Sequence, residues 1–279
     1  MADIIFMKLG GSLITDKTGV EVVREGILAR LAGEIKQARE DRPGLKLVLG
    51  HGSGSFGHVA GAKYGTRQGV QTAEEWRGFA EVSSAASRLN RKVVSALMKA
   101  GVPAVSLQPS ASAVCRDGQI EMLAIQPVVK ALQAGLVPVV FGDVAFDSVI
   151  GGTIISTEEV MMFLAQELRP LWLFLAGETY GVLDQGGNVI SQITKDSLDE
   201  ISEALGGSRG TDVTGGMASK VRAMLDLVAL QPQMKIRIFS GLEAGHVQNV
   251  LVTPNVLFGT VIKSNGGLGH SVTGQEGLG

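Results

Sequence analysis

Lys8 and Lys220 each stand close to a pair of glycines, Lys8 in KLGGS and Lys220 five residues after Gly215 in GGMASK. A cation next to backbone that carries no side chains suits a phosphate: glycine lets N–H groups approach an anion closely, and a helix N-terminus adds favourable partial charge. Two more glycine clusters follow apolar runs, Gly50 to Gly57 in GHGSGSFGH and Gly142 beside Asp143. His58 closes the first of these clusters. A strand-to-helix turn can require glycine for φ > 0 alone, but four clusters beside lysines favour a ligand. None of them is a common nucleotide loop. The chain has no GxxxxGK[ST], and GHGSGSFG lacks the spacing and the matched acid of a dinucleotide fingerprint, which disfavours a Walker-type NTPase and a Rossmann dehydrogenase.

The elements that must position these groups alternate. Ile4 to Leu9 reads as a buried strand stopping at Gly10-Gly11, and Arg24 to Asp41 shows helical spacing. Leu45 to Leu49 is a strand running into the glycine cluster, and a long helix from about Thr72 to Ala100 ends at Gly101 and Pro103. Val102 to Leu107 is a strand, Gln126 to Ala134 a helix, and Val137 to Phe141 a strand delivering Gly142-Asp143. Glu158 to Leu168, Leu171 to Leu175, Gly215 to Leu230, Lys235 to Phe239 and Phe258 to Ile262 continue as helix, strand, helix, strand and closing strand. This rhythm predicts α/β architecture with a mostly parallel sheet covered on both faces. Ligands of such sheets bind at the carboxyl ends of the strands, where the glycine clusters fall.

Composition sets the outer bounds. The chain has 279 residues, 38 of them Gly, and a net charge of −2. Glycine is about twice its usual ~7 per cent, yet without a three-residue period, and the apolar content excludes disorder. Near-neutral charge argues against nucleic acid or an anionic membrane as partner. The apolar runs are strand length, not membrane length. Cys115 is the lone cysteine, and no Cys/His group has zinc spacing, so the expected setting is reducing and cytoplasmic. One domain over residues 1–264 is expected, with 265–279 a flexible, glycine-rich tail.

KLGGSLITDK, GHGSGSFGH, VPVVFGDVAFD and DVTGGMASKV, in this order from Phe6 to about Ile262, resemble the motif set of the amino acid kinase superfamily, and within it the isopentenyl phosphate kinases. The resemblance implies a three-layer αβα sandwich with an open sheet, the acceptor over the N-terminal half and ATP over the C-terminal half. It implies direct in-line transfer of the γ-phosphoryl group to isopentenyl phosphate, with Mg2+ accompanying ATP, no protein metal site, and a homodimer. By resemblance Lys8, Lys17, His58, Asp143 and Lys220 are catalytic: the lysines hold the transferring phosphoryl and the ATP phosphates, Asp143 orients the lysines, and His58 donates to the acceptor phosphate. Lys8, Gly10, Gly11, Ser12, Ser53, Gly54, Glu178, Gly216 and Lys220 bind ATP. Gly52, Gly57, His58 and Thr157 bind the isoprenoid monophosphate, and the stripe Trp76, Phe79, Val82, Ala86 and Leu89 offers either core or a wall for its tail. Two stretches depart from the pattern: Ser156-Thr157-Glu158-Glu159 stands where the family commonly has SGDE, and Gly177 to Leu183 reads GETYGVL where TDVDGVY is common. A fosfomycin kinase-like activity on a small phosphonate, and a non-catalytic nucleotide-binding module of the same fold, are the alternatives.

Overall fold

A computed structural model describes residues 3–16, 18–197 and 217–265 of the chain. β1 (Ile4–Leu9) passes through the one-turn helix α1 (Gly11–Ile14) into a small hairpin, β2 (Thr15–Asp16) and β3 (Val22–Val23). α2 (Glu25–Asp41) returns to β4 (Lys46–His51), which runs into α3 (Gly54–Tyr64) and the 27-residue α4 (Ala73–Lys99). Then come β5 (Ala104–Ser106), β6 (Val114–Arg116), β7 (Gln119–Met122), α5 (Gln126–Gln133), β8 (Val137–Phe141), β9 (Asp143–Asp147) and β10 (Gly151–Ile155). α6 (Thr157–Leu168), β11 (Trp172–Gly177), β12 (Gln192–Ile193), α7 (Met217–Leu230), β13 (Lys235–Ser240), α8 (His246–Val252) and β14 (Thr260–Lys263) complete the order.

The main sheet has eight strands in the order β12-β14-β13-β11-β1-β4-β8-β5, parallel except for the β13/β14 pair. Side chains on a strand alternate between faces. Ile5, Met7 and Leu9 of β1 pack with α2, α4 and α8, whereas Phe6 packs with α5, α6 and α7 in a second core on the opposite face. The sandwich is therefore three-layered, helices–sheet–helices, as expected from the alternation of elements.

Three features differ from the sequence expectations. The glycine cluster after β4 leads into a helix, α3, to which the sequence patterns assigned no element. β9 starts one residue after β8 and pairs into a second, four-stranded sheet of order β10-β9-β6-β7, so Gly142 is a switch between sheets and not a turn into a helix. α8 also went unpredicted. Asn265, expected to open the tail, hydrogen-bonds Asp196 at 2.6 Å; residues 266–279 lie outside the described residues. Among the described residues no helix is long and apolar enough to cross a membrane.

Candidate active site

The chain fills the β4–β8–β5 side of β1 and then returns to the other side through β11, so β1 marks the point where strand order reverses. Such a switch leaves a crevice at the carboxyl ends of the strands. β1, β4, β8 and β11 deliver Gly10, Gly52, Gly142 and Glu178 there.

Two glycine loops interlock at the crevice floor. Gly10 N–H donates to Ala176 O at 2.7 Å and Gly52 N–H to Leu9 O at 2.9 Å, tying each loop to a neighbouring strand. A Cβ on Gly11 would lie 2.3 Å from the Gly54 nitrogen, and one on Gly52 2.6 Å from the Gly11 nitrogen. No side chain fits between them. Thr15 fastens the contact: its hydroxyl donates to Gly11 O at 2.7 Å and accepts from Ser55 N–H at 3.0 Å. α1, which carries Ser12, and α3, preceded by Ser53, thus begin back to back, and first-turn N–H groups have no acceptor within their own helix. Gly57 N–H donates to Ser53 O at 3.3 Å. His58 is in the second turn of α3; its side chain lies outside the described residues.

Above the floor stands Lys8. Its position on β1 puts it on the α6 face, opposite Gly50 of β4 in register. A Cβ on Gly50 would meet Met161 Sδ at 2.7 Å and Thr157 Cγ2 at 2.9 Å, so this glycine lets the N-terminus of α6 settle against the sheet. Glu158 is thereby brought to Lys8, Nζ to Oε1 at 2.5 Å. Burial acts to raise the Glu158 carboxyl, but the Lys8 ammonium and its hydrogen bond, with further help from the charge of Lys220, outweigh it and hold the group below the ordinary carboxylate value. Lys220, the fourth residue of α7, therefore acts on the same carboxylate from the C-terminal half. Lys8 pairs directly with this acid, and the charge of Lys220, from the other half of the sheet, acts on it as well. The arrangement suits a negatively charged group passing between the two lysines.

The acid that meets the lysine is Glu158, where Asp143 was expected. Asp143 is buried, but its carboxylate accepts from Gln108 Nε2 at 3.1 Å, Ser110 N–H at 3.3 Å and Val144 N–H at 2.8 Å. It organises the loop after β5, because β9 leaves the main sheet and carries it off the lysine side. Glu158 was legible only as a departure from SGDE. Thr157, expected at the substrate, turns its hydroxyl inward: it donates to His51 O at 2.6 Å and accepts from Gly142 N–H at 2.8 Å, riveting β4, β8 and α6 together. Glu178 forms an ion pair with Arg24 at 2.9 Å, next to the β2–β3 hairpin. Lys17 and Gly216 lie outside the described residues. In the apolar stripe, Leu89 belongs to the main core, whereas Phe79 and Val82 form a separate cluster with Val70 and Val144, and the Trp76, Phe79 and Phe146 rings lie 5.2–5.9 Å apart.

Comparison with known proteins agrees with this geometry. The profile of the "Amino acid kinase family" matches residues 3–240. The isopentenyl phosphate kinase of Methanocaldococcus jannaschii is 32% identical over 89% of this chain and 95% of its own length. That of Haloferax volcanii is 39% identical over 81% of this chain and 89% of its own. A crystal structure of an isopentenyl phosphate kinase, 29% identical, superimposes with a TM-score of 0.78 over 93% of this chain and all of its own. With the lysine pair, the interlocked glycine loops and these likenesses together, the chain belongs to the amino acid kinase family, on its isopentenyl phosphate kinase branch.

Proposed function

We propose that this chain phosphorylates isopentenyl phosphate with ATP, giving isopentenyl diphosphate and ADP, a step of isoprenoid biosynthesis. The carrying observation is the Lys8–Glu158 pair standing above the two interlocked glycine loops, with the charge of Lys220 also reaching Glu158. A terminal oxygen of the acceptor phosphate attacks the γ-phosphorus in line, and the bond from that phosphorus to the β–γ bridging oxygen breaks. Such a transition state spreads charge over three equatorial oxygens, and positioning plus cationic stabilisation is nearly all the protein supplies. Lys8 holds the transferring group and Lys220 the nucleotide phosphates, with Glu158 fixing the Lys8 ammonium by its ion pair and offsetting the repulsion between the two cations. Lys17 and Gly216 complete the nucleotide side, and His58 with the Gly52–Gly57 backbone completes the acceptor side. The isoprenoid tail lies along Trp76 and Phe79.

Among the described residues no cluster of three or more His, Cys, Asp or Glu could hold a metal. With Glu158 engaged by Lys8, this donor set fits a magnesium ion held on the phosphates of ATP, with water filling its remaining positions. The ion would neutralise charge on the β- and γ-phosphates. On this reading the protein acts in the cytoplasm, as a homodimer.

The test is turnover of purified protein with Mg-ATP on isopentenyl phosphate, fosfomycin and N-acetylglutamate, followed by 31P NMR. A diphosphate doublet from isopentenyl phosphate is expected. Its absence, or faster turnover on fosfomycin, overturns the reading.

A further inference from the structure

We propose that Asn90, inside the apolar face of α4, is a positioning residue that aims the amide of Ser53 into the crevice, acting through His51 and the carbonyl of Gly52. The inference rests on the phosphate role of the glycine loop proposed above. Asn90 is 4% exposed on a helix whose other inward positions include Ala86, Leu89 and Val93. An amide buried there is costly unless its hydrogen bonds are met. They are met by a chain that leads to the loop. Ser106 Oγ donates to Asn90 Oδ1 at 2.5 Å, Asn90 Nδ2 lies 3.1 Å from His51 Nε2, and His51 Nδ1 lies 3.1 Å from Gly52 O.

Every direction in the chain is fixed by its end. A carbonyl only accepts, so Nδ1 of His51 carries a proton, and in the neutral ring Nε2 is left as the acceptor. Asn90 must then donate with Nδ2 and accept with Oδ1, which Ser106 satisfies. Phe141 stacks on the imidazole at 5.4 Å and 7°, holding its plane. A trans peptide points its C=O and the following N–H in opposite directions. Anchoring Gly52 C=O inward on His51 therefore turns Ser53 N–H outward, to the side where α1 and α3 begin. The Gly52 N–H is already held by Leu9 O, so both ends of this residue are set.

The test uses Asn90→Leu, which matches shape but breaks the chain, and Asn90→Asp, whose carboxylate accepts from a His51 ring protonated on both nitrogens and so keeps Nδ1–H on Gly52. Steady-state kinetics are measured with each substrate varied, and His51 is read by long-range 1H–15N NMR. The wild type is expected to show the Nδ1–H tautomer. Asn90→Leu is expected to lose that signature, to lower kcat/KM for isopentenyl phosphate about tenfold and to change KM for ATP less than twofold. Asn90→Asp is expected to recover at least half of the acceptor loss. Equal losses for both substrates, or a lost tautomer with acceptor kinetics intact, overturn the proposal. If Asn90→Leu does not fold, Asn90→Asp decides alone: an acceptor kcat/KM within about twofold of wild type with a doubly protonated ring supports the chain, and a larger loss, or a ring not protonated on both nitrogens, sinks it. A wild type inert on isopentenyl phosphate overturns the activity instead; Asn90 is then judged by calorimetric binding of inorganic phosphate, which Asn90→Leu must weaken while Asn90→Asp does not.

Discussion

Lys8 and Glu158 lie 150 positions apart in the chain and 2.5 Å apart in the fold. In the proposed reaction the Lys8 ammonium faces the transferring group, so Lys8→Ala should lower kcat by about 10²–10³-fold, measured by coupled ADP release. Glu158→Gln keeps the shape of the acid but removes the charge that holds Lys8, and a misplacement of about an ångström can cost on the order of 10²-fold. Glu158→Asp, one methylene shorter and closer to the SGDE pattern, should retain more activity than Glu158→Gln. His51 offers a pH signature. Burial drives its imidazole down from 6.5 to about 4; the Gly52 hydrogen bond opposes this, and the Lys8 charge adds to it. The unfolded chain binds a proton below pH 6.5 that the folded one refuses until about pH 4. Stability from this group is therefore complete above 6.5 and declines as pH falls, by on the order of 3 kcal/mol in all. Urea unfolding of the wild type and His51→Asn at pH 7 and pH 5 should show a smaller pH loss in the variant.

At the scale of elements, the N-terminus of α6 positions the site. Ser156 caps it, with Glu159 closing a capping box, and the Glu159 carboxylate also takes both terminal nitrogens of Arg67, at 2.9 and 2.6 Å. That pair ties the segment after α3 to the helix bearing Glu158. Gly50→Ala puts a methyl into Met161 and Thr157, so α6 must move off β4. The expected result is a loss of about 1–3 kcal/mol in denaturant unfolding and a fall in kcat beyond what the remaining folded fraction explains. Sequence patterns made α6 legible, since its caps and acidic first turn are local signals. They did not reveal α3. Gly54, Gly57 and Gly61 each disfavour a helix by about 1 kcal/mol relative to Ala, and tertiary contact overrides this: Gly54 packs on Gly11, and a Cβ on Gly61 would lie 3.2 Å from Ile154. The β6–β7 and β9–β10 strands, three to five residues each, were equally hidden. The turns around them are fastened by Asp147, whose carboxylate accepts from Asp117, Gly118, Val149 and Ile150 N–H.

Across the whole molecule, the proposed reaction would cross the strand where sheet order reverses, Lys8 coming from β1 and Lys220 from α7 on the C-terminal side. Because the two lysines share Glu158, their deletions should not add. A double-mutant cycle of Lys8→Ala and Lys220→Ala is expected to give a combined loss in kcat smaller than the product of the single losses; strict multiplicativity would argue that the lysines act independently. The sequence by itself determined the alternation of strands and helices, the limits of β1 and β8 to the residue, and the glycine–lysine strings, because these depend on period, chain punctuation and residue type, all local quantities. Only the tertiary structure decided which carboxylate serves the lysines. Asp143 and Glu158 are both acids that follow apolar strands, and nothing in the one-dimensional order separates them. The separation comes from β9 peeling into a second sheet while Gly50 lets α6 close on β1, two through-space events that place one acid at Lys8 and turn the other toward Gln108.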